Sequence, residues 1–188
     1  MNKKLLFVFG IILVVFLFSA CLPNITTEKL FIKMVNEARA YVNPLYPSYN
    51  LDLYEVECLP STGETATKAE DFTTWVFSFC DNTQEEAVVA TYTNNQWINS
   101  NFEDFFIENL VIPAELYITY DVQAAINLIN NKWSDPQFYG FIFHIPLDYL
   151  QQDYKDPEYK FKFVNGPMGP GTFALVGSVE GYVNFSDF

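Results

Sequence analysis

Trp75-Val-Phe-Ser-Phe-Cys-Asp-Asn82 and Tyr159-Lys-Phe-Lys-Phe-Val-Asn-Gly166 are two versions of one segment, offset by 84 residues. In each, three aromatics fall at alternate positions: Trp75, Phe77 and Phe79, then Tyr159, Phe161 and Phe163. Strand side chains point alternately to the two faces, so both segments predict a strand with one aromatic face. In the second version Lys160 and Lys162 take the opposite, wet face, and Asn165-Gly166 supplies a turn. Such an aromatic face is unstable until another element covers it.

The likeness extends to both sides. Residues 87–92 and 172–177 read as the next strands and lead to Gln96-Trp97-Ile98-Asn99 and Gly181-Tyr182-Val183-Asn184, now offset by 85. Upstream, Phe31, Met34, Val35, Ala38 and Val42 recur at three- and four-residue steps, which predicts an amphipathic helix. The same spacing returns 91 residues later in Val122, Ala125, Ile126, Ile129 and Trp133. Thr26 or Thr27 with Glu28, and Thr119 with Asp121, are candidates for the caps and first turns; Pro44 and Pro136 help end the helices. Residues 52–58 and 139–145 alternate less sharply. Phe102, Phe105, Phe106 and Leu110 have the spacing of a short helix in a connector over 101–118. The expected fold class is α+β: two αβββ units, residues 27–100 and 119–188, with antiparallel sheets each covered by an amphipathic helix, arising by duplication.

Residues 1–20 have the composition of a targeting segment. Lys3 and Lys4 precede an apolar run from Leu5 to Phe18, and the small residues Ser19-Ala20 stand before Cys21. Ser19-Ala20-Cys21 resembles the bacterial lipobox, although Phe18 stands where Leu is commoner. The resemblance implies cleavage before Cys21, lipidation of Cys21 with diacylglycerol and a further acyl chain such as palmitate, and a tether over 21–26. The mature chain would then be exported and anchored to a bacterial membrane through its N-terminal lipid. An apolar run of about 14 residues is shorter than the roughly 20 a spanning helix needs. An uncleaved anchor and a plain secretory signal are the other two readings.

The chain carries a formal charge of −13, and loss of Lys3 and Lys4 with the signal would make it −15. This balance opposes nucleic-acid binding and anionic lipid surfaces, which demand basic patches, and makes basic peptides or divalent cations easier partners. Its bland meaning is a soluble, tethered surface protein. The 19 Phe and 12 Tyr at strand spacing argue for a packed core despite the acidity. Cys58 and Cys80 are a candidate disulfide pair that export would permit. A plain hairpin of 51–58 with 72–80, however, sets them ~25 Å apart, beyond disulfide reach. No spacing of Cys and His marks a metal site, and no cofactor is expected.

The order of elements resembles a tandem of PepSY-like domains. The likeness rests on Thr119-Tyr-Asp-Val-Gln-Ala-Ala-Ile126, Tyr159-Lys-Phe-Lys-Phe163 and Gly177-Ser-Val-Glu-Gly181, and in the first half on Trp75-Val-Phe-Ser-Phe79 and Tyr92-Thr-Asn-Asn-Gln96, where Gln96 replaces the expected Gly. It implies an exported or tethered scaffold without catalytic residues, binding or restraining a peptidase or cell-wall enzyme, and it carries over no site residue.

The residues themselves suggest no catalytic set. His144 is the single histidine and lies within an aromatic strand; Ser178 follows Gly177 but lacks the second glycine of a nucleophile elbow, and Ser186 is near the terminus. Glu103-Asp104, and Asp153 and Asp156 near Glu158, lack the spacing of a calcium loop or a catalytic carboxylate pair. The expectation is a noncatalytic binding or regulatory lipoprotein with a protein or peptide partner in the cell envelope. An envelope-polymer hydrolase and a structural surface lipoprotein are its rivals. If a sheet face binds, Tyr54, Trp97, Tyr139 and Tyr182 are the candidate contacts, being rigid aromatics, most with a polar handle.

Overall fold

A computed structural model describes residues 29–81, 83, 86–102, 112, 118–145, 157–169 and 171–187. The targeting segment, the tether, Thr26, Thr27, most of the 101–118 connector and the acids Glu103, Asp104, Asp153 and Asp156 lie outside them. Helix α1 (Leu30–Val42) is followed by strands β1 (Asp52–Pro60), β2 (Phe72–Asp81), β3 (Glu86–Thr93) and β4 (Gln96–Phe102). Helix α2 (Val122–Asn130) is followed by β5 (Phe138–His144), β6 (Glu158–Phe163), β7 (Phe173–Gly177) and β8 (Val183–Ser186).

Two αβββ units with separate sheets are not what forms. All the described strands join one antiparallel eight-stranded sheet in the order β4-β3-β2-β1-β5-β6-β7-β8. Each half contributes four strands, and the extra ones, β1 and β5, are those whose alternation is least clear in the sequence. Irregularities between Leu53 and Glu55 in β1, and between Phe138 and Gly140 in β5, break their period. These two strands pair with each other, Glu55 with His144, Val56 with Phe143, Glu57 with Ile142 and Cys58 with Phe141, and so merge the halves at a central seam.

The register explains why one sheet suffices. Trp97, Tyr92, Trp75, Cys58, Phe141, Phe161, Ala174 and Phe185 stand side by side across all eight strands. The adjacent row on that face is Asn99, Ala90, Phe77, Val56, Phe143, Tyr159, Val176 and Val183. The buried faces of both helices belong to the same hydrophobic cluster as these rows, so α1 and α2 lie together on one side of the sheet. Phe31, Met34, Val35, Ala38 and Val42 are buried, as their spacing predicts. In α2 only Val122, Ala125, Ile126 and Ile129 are. That helix ends at Asn130, and Trp133 is left 37% exposed.

The core is shared rather than divided. The Phe31 ring of α1 lies 4.4 Å from Phe143 and 5.7 Å from Tyr159, both in the second half. Phe72 of β2 meets Phe141 edge-on at 4.9 Å. Ala66, on the β1–β2 connection, exchanges two backbone hydrogen bonds of 2.9 Å with Phe138. Aromatic pairs of this kind add roughly 0.5–1.5 kcal/mol each beyond their buried area.

Above the seam the two helix N-termini meet. Asp121, rather than Thr119, is the N-cap residue of α2, yet its carboxylate turns to the other helix and accepts the Leu30 N–H at 2.8 Å and the Phe31 N–H at 3.1 Å. Lys29 reciprocates, donating its ammonium to the Thr119 carbonyl at 3.0 Å. An acidic acceptor at a helix start satisfies donors that lack intrahelical partners and meets the positive end of the helix dipole. Nearby, the fully buried Tyr159 hydroxyl has no hydrogen-bond partner among the described residues. Burial first, and then the neighbouring Asp121 carboxylate and Cys58, hold its phenol well above the ordinary tyrosine range.

Two substitutions separate these effects. Asp121→Ala should destabilise the whole chain by about 1–2 kcal/mol in urea denaturation, with both halves losing structure in one transition. Tyr159→Phe removes an unsatisfied buried oxygen at constant shape and should raise stability by about 1 kcal/mol in the same assay.

Candidate binding face of the sheet

Side chains that alternate with the aromatic rows point to the opposite face, away from both helices. One row there runs Ile98, Thr91, Val76, Glu57, Ile142, Lys160, Leu175 and Asn184. The next runs Ser100, Val89, Ser78, Glu55, His144, Glu158 and Gly177. Over β1 and β6 this face carries Glu55, Glu57, Glu158 and Lys160, with Ile142 and His144 of β5 between them; over β2, β3 and β4 it is Thr, Ser, Val and Ile. Most of its side chains are half-buried by their neighbours on the sheet.

The charged band is built on the seam. Glu55 and Glu158 flank His144 from the two strands that pair with β5. His144 Nδ1 contacts the Ile145 carbonyl at 3.1 Å; its Nε2 lies 3.7 Å from Glu158 and has no hydrogen-bond partner among the described residues. Glu158 is buried and accepts a 2.7 Å hydrogen bond from the Tyr182 hydroxyl. Gly177 makes room for that tyrosine, since a Cβ there would come within 2.5 Å of its ring. Ser178, on the same turn, donates to the Pro157 carbonyl, which gives its hydroxyl a structural role. One row further, Lys162 reaches Glu57 at 3.2 Å, and Lys160 lies 4.0 Å over the Phe173 ring. Burial, and then the neighbouring Lys162, lower the Lys160 ammonium pKa against the pull of Glu158.

The four aromatic candidates do not share a surface. Tyr54 sits at the β1 irregularity, half-buried, with its hydroxyl bonded to Ser78 of the open face; burial is the main cause that raises its phenol. Tyr182 is held against Glu158 as above. Trp97 faces the other way: it stacks on Tyr41 of α1 at 5.4 Å and lies 5.7 Å from Phe77. Tyr139, at the β5 irregularity, is 57% exposed. The Cys58–Cys80 disulfide is not made. Both are free, buried thiols, with Cys58 paired to Trp75 and Cys80 to Asp52 near opposite ends of the hairpin. Burial raises both thiol pKa values, that of Cys80 to about 11. Among the described residues no group of three His, Cys, Asp or Glu side chains is placed to hold a metal ion.

The charged band as such has no local signature. Glu55, Glu57, His144, Glu158 and the two lysines are far apart in the chain, and only the β1–β5 register assembles them. Lys160 and Lys162 could be assigned to the wet face from their alternation with Tyr159, Phe161 and Phe163, and that is where they stand.

Glu55 provides a test of this electrostatic setting. Its carboxyl is pushed up, by burial first and Glu57 second, against the pull of His144 and Lys162. A carboxyl raised in the folded state contributes stability below its unfolded pKa and loses it as pH rises through the folded value. Glu55→Gln should therefore be more stable than the parent at pH 7, by roughly 0.5 kcal/mol after solvent screening, with the difference closing toward about pH 4. Paired urea titrations at the two pH values measure it, and an equal or lower stability at pH 7 would contradict the assignment.

The chain matches no family model, no curated protein and no solved structure, and its function has to be read from its own residues.

Proposed function

We propose that this chain is a noncatalytic binding or regulatory lipoprotein, tethered through Cys21, that docks a protein or peptide of the cell envelope on the face of its sheet opposite the helices. The observation that carries the reading is the one-sided architecture: both helices occupy one face of an eight-stranded sheet, and the other presents half-exposed charged and hydroxyl side chains in straight rows. An antiparallel sheet with one face packed leaves the second free to meet solvent or a partner. The mixture at the seam, carboxylates beside lysines with Tyr54 and Tyr182 at its margins, suits a polar peptide surface of mixed charge. The acidic balance of the chain favours a partner whose charge is on average basic. Restraint of an envelope peptidase or cell-wall enzyme is the regulatory form of this reading, and its support is the likeness to PepSY-like domains.

The tether and the docking face are tested separately in cells carrying the full chain. Cys21→Ala should move the protein out of the membrane fraction and abolish incorporation of labelled palmitate; retention with the label intact would sink the tether. A photo-crosslinking residue at Glu57 should capture one dominant envelope protein, and the same residue at Lys33, exposed on α1, should not. Equal capture from both positions, or none from Glu57, would overturn the docking face.

A further inference from the structure

The two edges of the sheet are unlike. β8 is four residues long, and its border is already occupied. Gly177 N–H bonds to the Tyr182 carbonyl, so by strand alternation the Val183 carbonyl points away from β7, and Lys132 donates to it at 2.8 Å. A lysine at an edge is a common guard against strand addition. β4 spans seven residues, Gln-Trp-Ile-Asn-Ser-Asn-Phe, with neither charge nor proline. Gln96, Ile98, Asn99, Ser100 and Asn101 are all exposed, Ile98 at 55%.

The strand is also held in place. Asn99 accepts from the Tyr41 hydroxyl at 2.9 Å and donates to the Tyr46 hydroxyl at 2.7 Å, and Trp97 is stacked on Tyr41. At its start, Asn94 and Asn95 take the left-handed conformations of a tight hairpin turn, which fixes the register of β4 on β3. An edge already in its paired conformation gives up little freedom on accepting another strand.

We propose that β4 is a self-association edge, on which two copies of this chain pair antiparallel through Gln96–Phe102 and join their sheets into one. Charge selects a second copy over other strand donors. Residues 72–80 and 87–102 contain no charged side chain, although the chain as a whole has 23 acids against 10 bases. Two such acidic molecules can approach closely only where neither carries charge, and this strip meets that condition on both faces of the sheet. A basic partner would gain nothing from an uncharged strip and would be drawn to the carboxylates of the seam. Because Lys132 occupies the β8 border, the pairing is β4 with β4, which closes as a twofold dimer instead of propagating. This goes beyond the docking proposal and uses a different border of the molecule.

The test uses the full chain in detergent and in its native membrane. Sedimentation velocity should give a protein mass of two chains. Ile98→Cys and Ser100→Cys should each yield a covalent dimer with a short thiol crosslinker, while Asn184→Cys on β8 should not; Cys58 and Cys80 are buried, and the parent chain, whose remaining cysteine is the proposed lipidation site Cys21, serves as the background control. In the Gln96–Phe102 register each Ile98 faces Ser100 of the other copy, so Ile98→Lys sets two lysines diagonally across the twofold; it should weaken the dimer about tenfold or more, with an unchanged melting curve at dilutions where both proteins are monomeric, because Ile98 contributes little to the core. Ser100→Lys is the independent repeat. A monomeric mass, a dimer indifferent to both lysines, equal crosslinking from Asn184→Cys, or trapping of a different protein by β4 would each overturn the proposal.

Discussion

The pairing of β1 with β5 is the constraint on which the rest of the molecule depends. Only four residue pairs define it, yet it brings Val56 and Cys58 against Phe143 and Phe141 on one face and Glu55 against His144 on the other. One face becomes the middle of the core and the other the middle of the charged band. A slip of a single residue would exchange the two faces and bury Glu55 and Glu57 beneath Phe31. The hydrophobic contrast between the faces therefore fixes the register more firmly than the short ladder could alone.

The helices reinforce the same centre. Asp121 begins one helix and caps the other, so each half supplies a group that the other half needs. Ala69 N–H, donating to the Gln123 side chain at 2.8 Å, adds a second crossing from the β1–β2 connection to α2. With Phe31 and Phe72 both packed on second-half rings, the repeats cannot be separated without leaving aromatic surface and buried donors unsatisfied. The Tyr159 hydroxyl, which has no hydrogen-bond partner among the described residues, works against this packing at its centre, in a place where phenylalanine would fit.

What the sequence discloses follows from the range over which each feature is encoded. Period-two aromatics and period-3.6 apolar residues are local, and they locate both helices and the strands around Trp75, Phe77, Tyr159 and Phe161. The seam is a long-range pairing between strands whose local period is interrupted at Leu53/Glu55 and Phe138/Gly140. Nothing near either strand states that they meet, which is why two sheets are the natural expectation. The repeat spacing likewise extends α2 to Trp133, but the chain leaves the helix after Asn130. Asp121 is visible as a residue near a helix start, but its bond to the other helix exists only once the halves have docked. Of the candidate contacts, Tyr54 and Tyr182 belong to the charged face, whereas Trp97 reads as a surface aromatic in the sequence and is claimed by Tyr41.

Glu55 and Glu57 acquire a second meaning from the order in which the chain is made. Until residues 138–144 have been added, β1 lacks the strand it pairs with from Glu55 to Cys58, and that stretch of its border is an edge. Two carboxylates spaced along that border repel another such edge at the stage when mispairing between growing chains is easiest. The half-burial that raises the Glu55 carboxyl in the finished sheet therefore deepens only when β5 closes this border, so the same carboxylate is a solvated edge charge in the incomplete chain and a partly desolvated one in the complete fold.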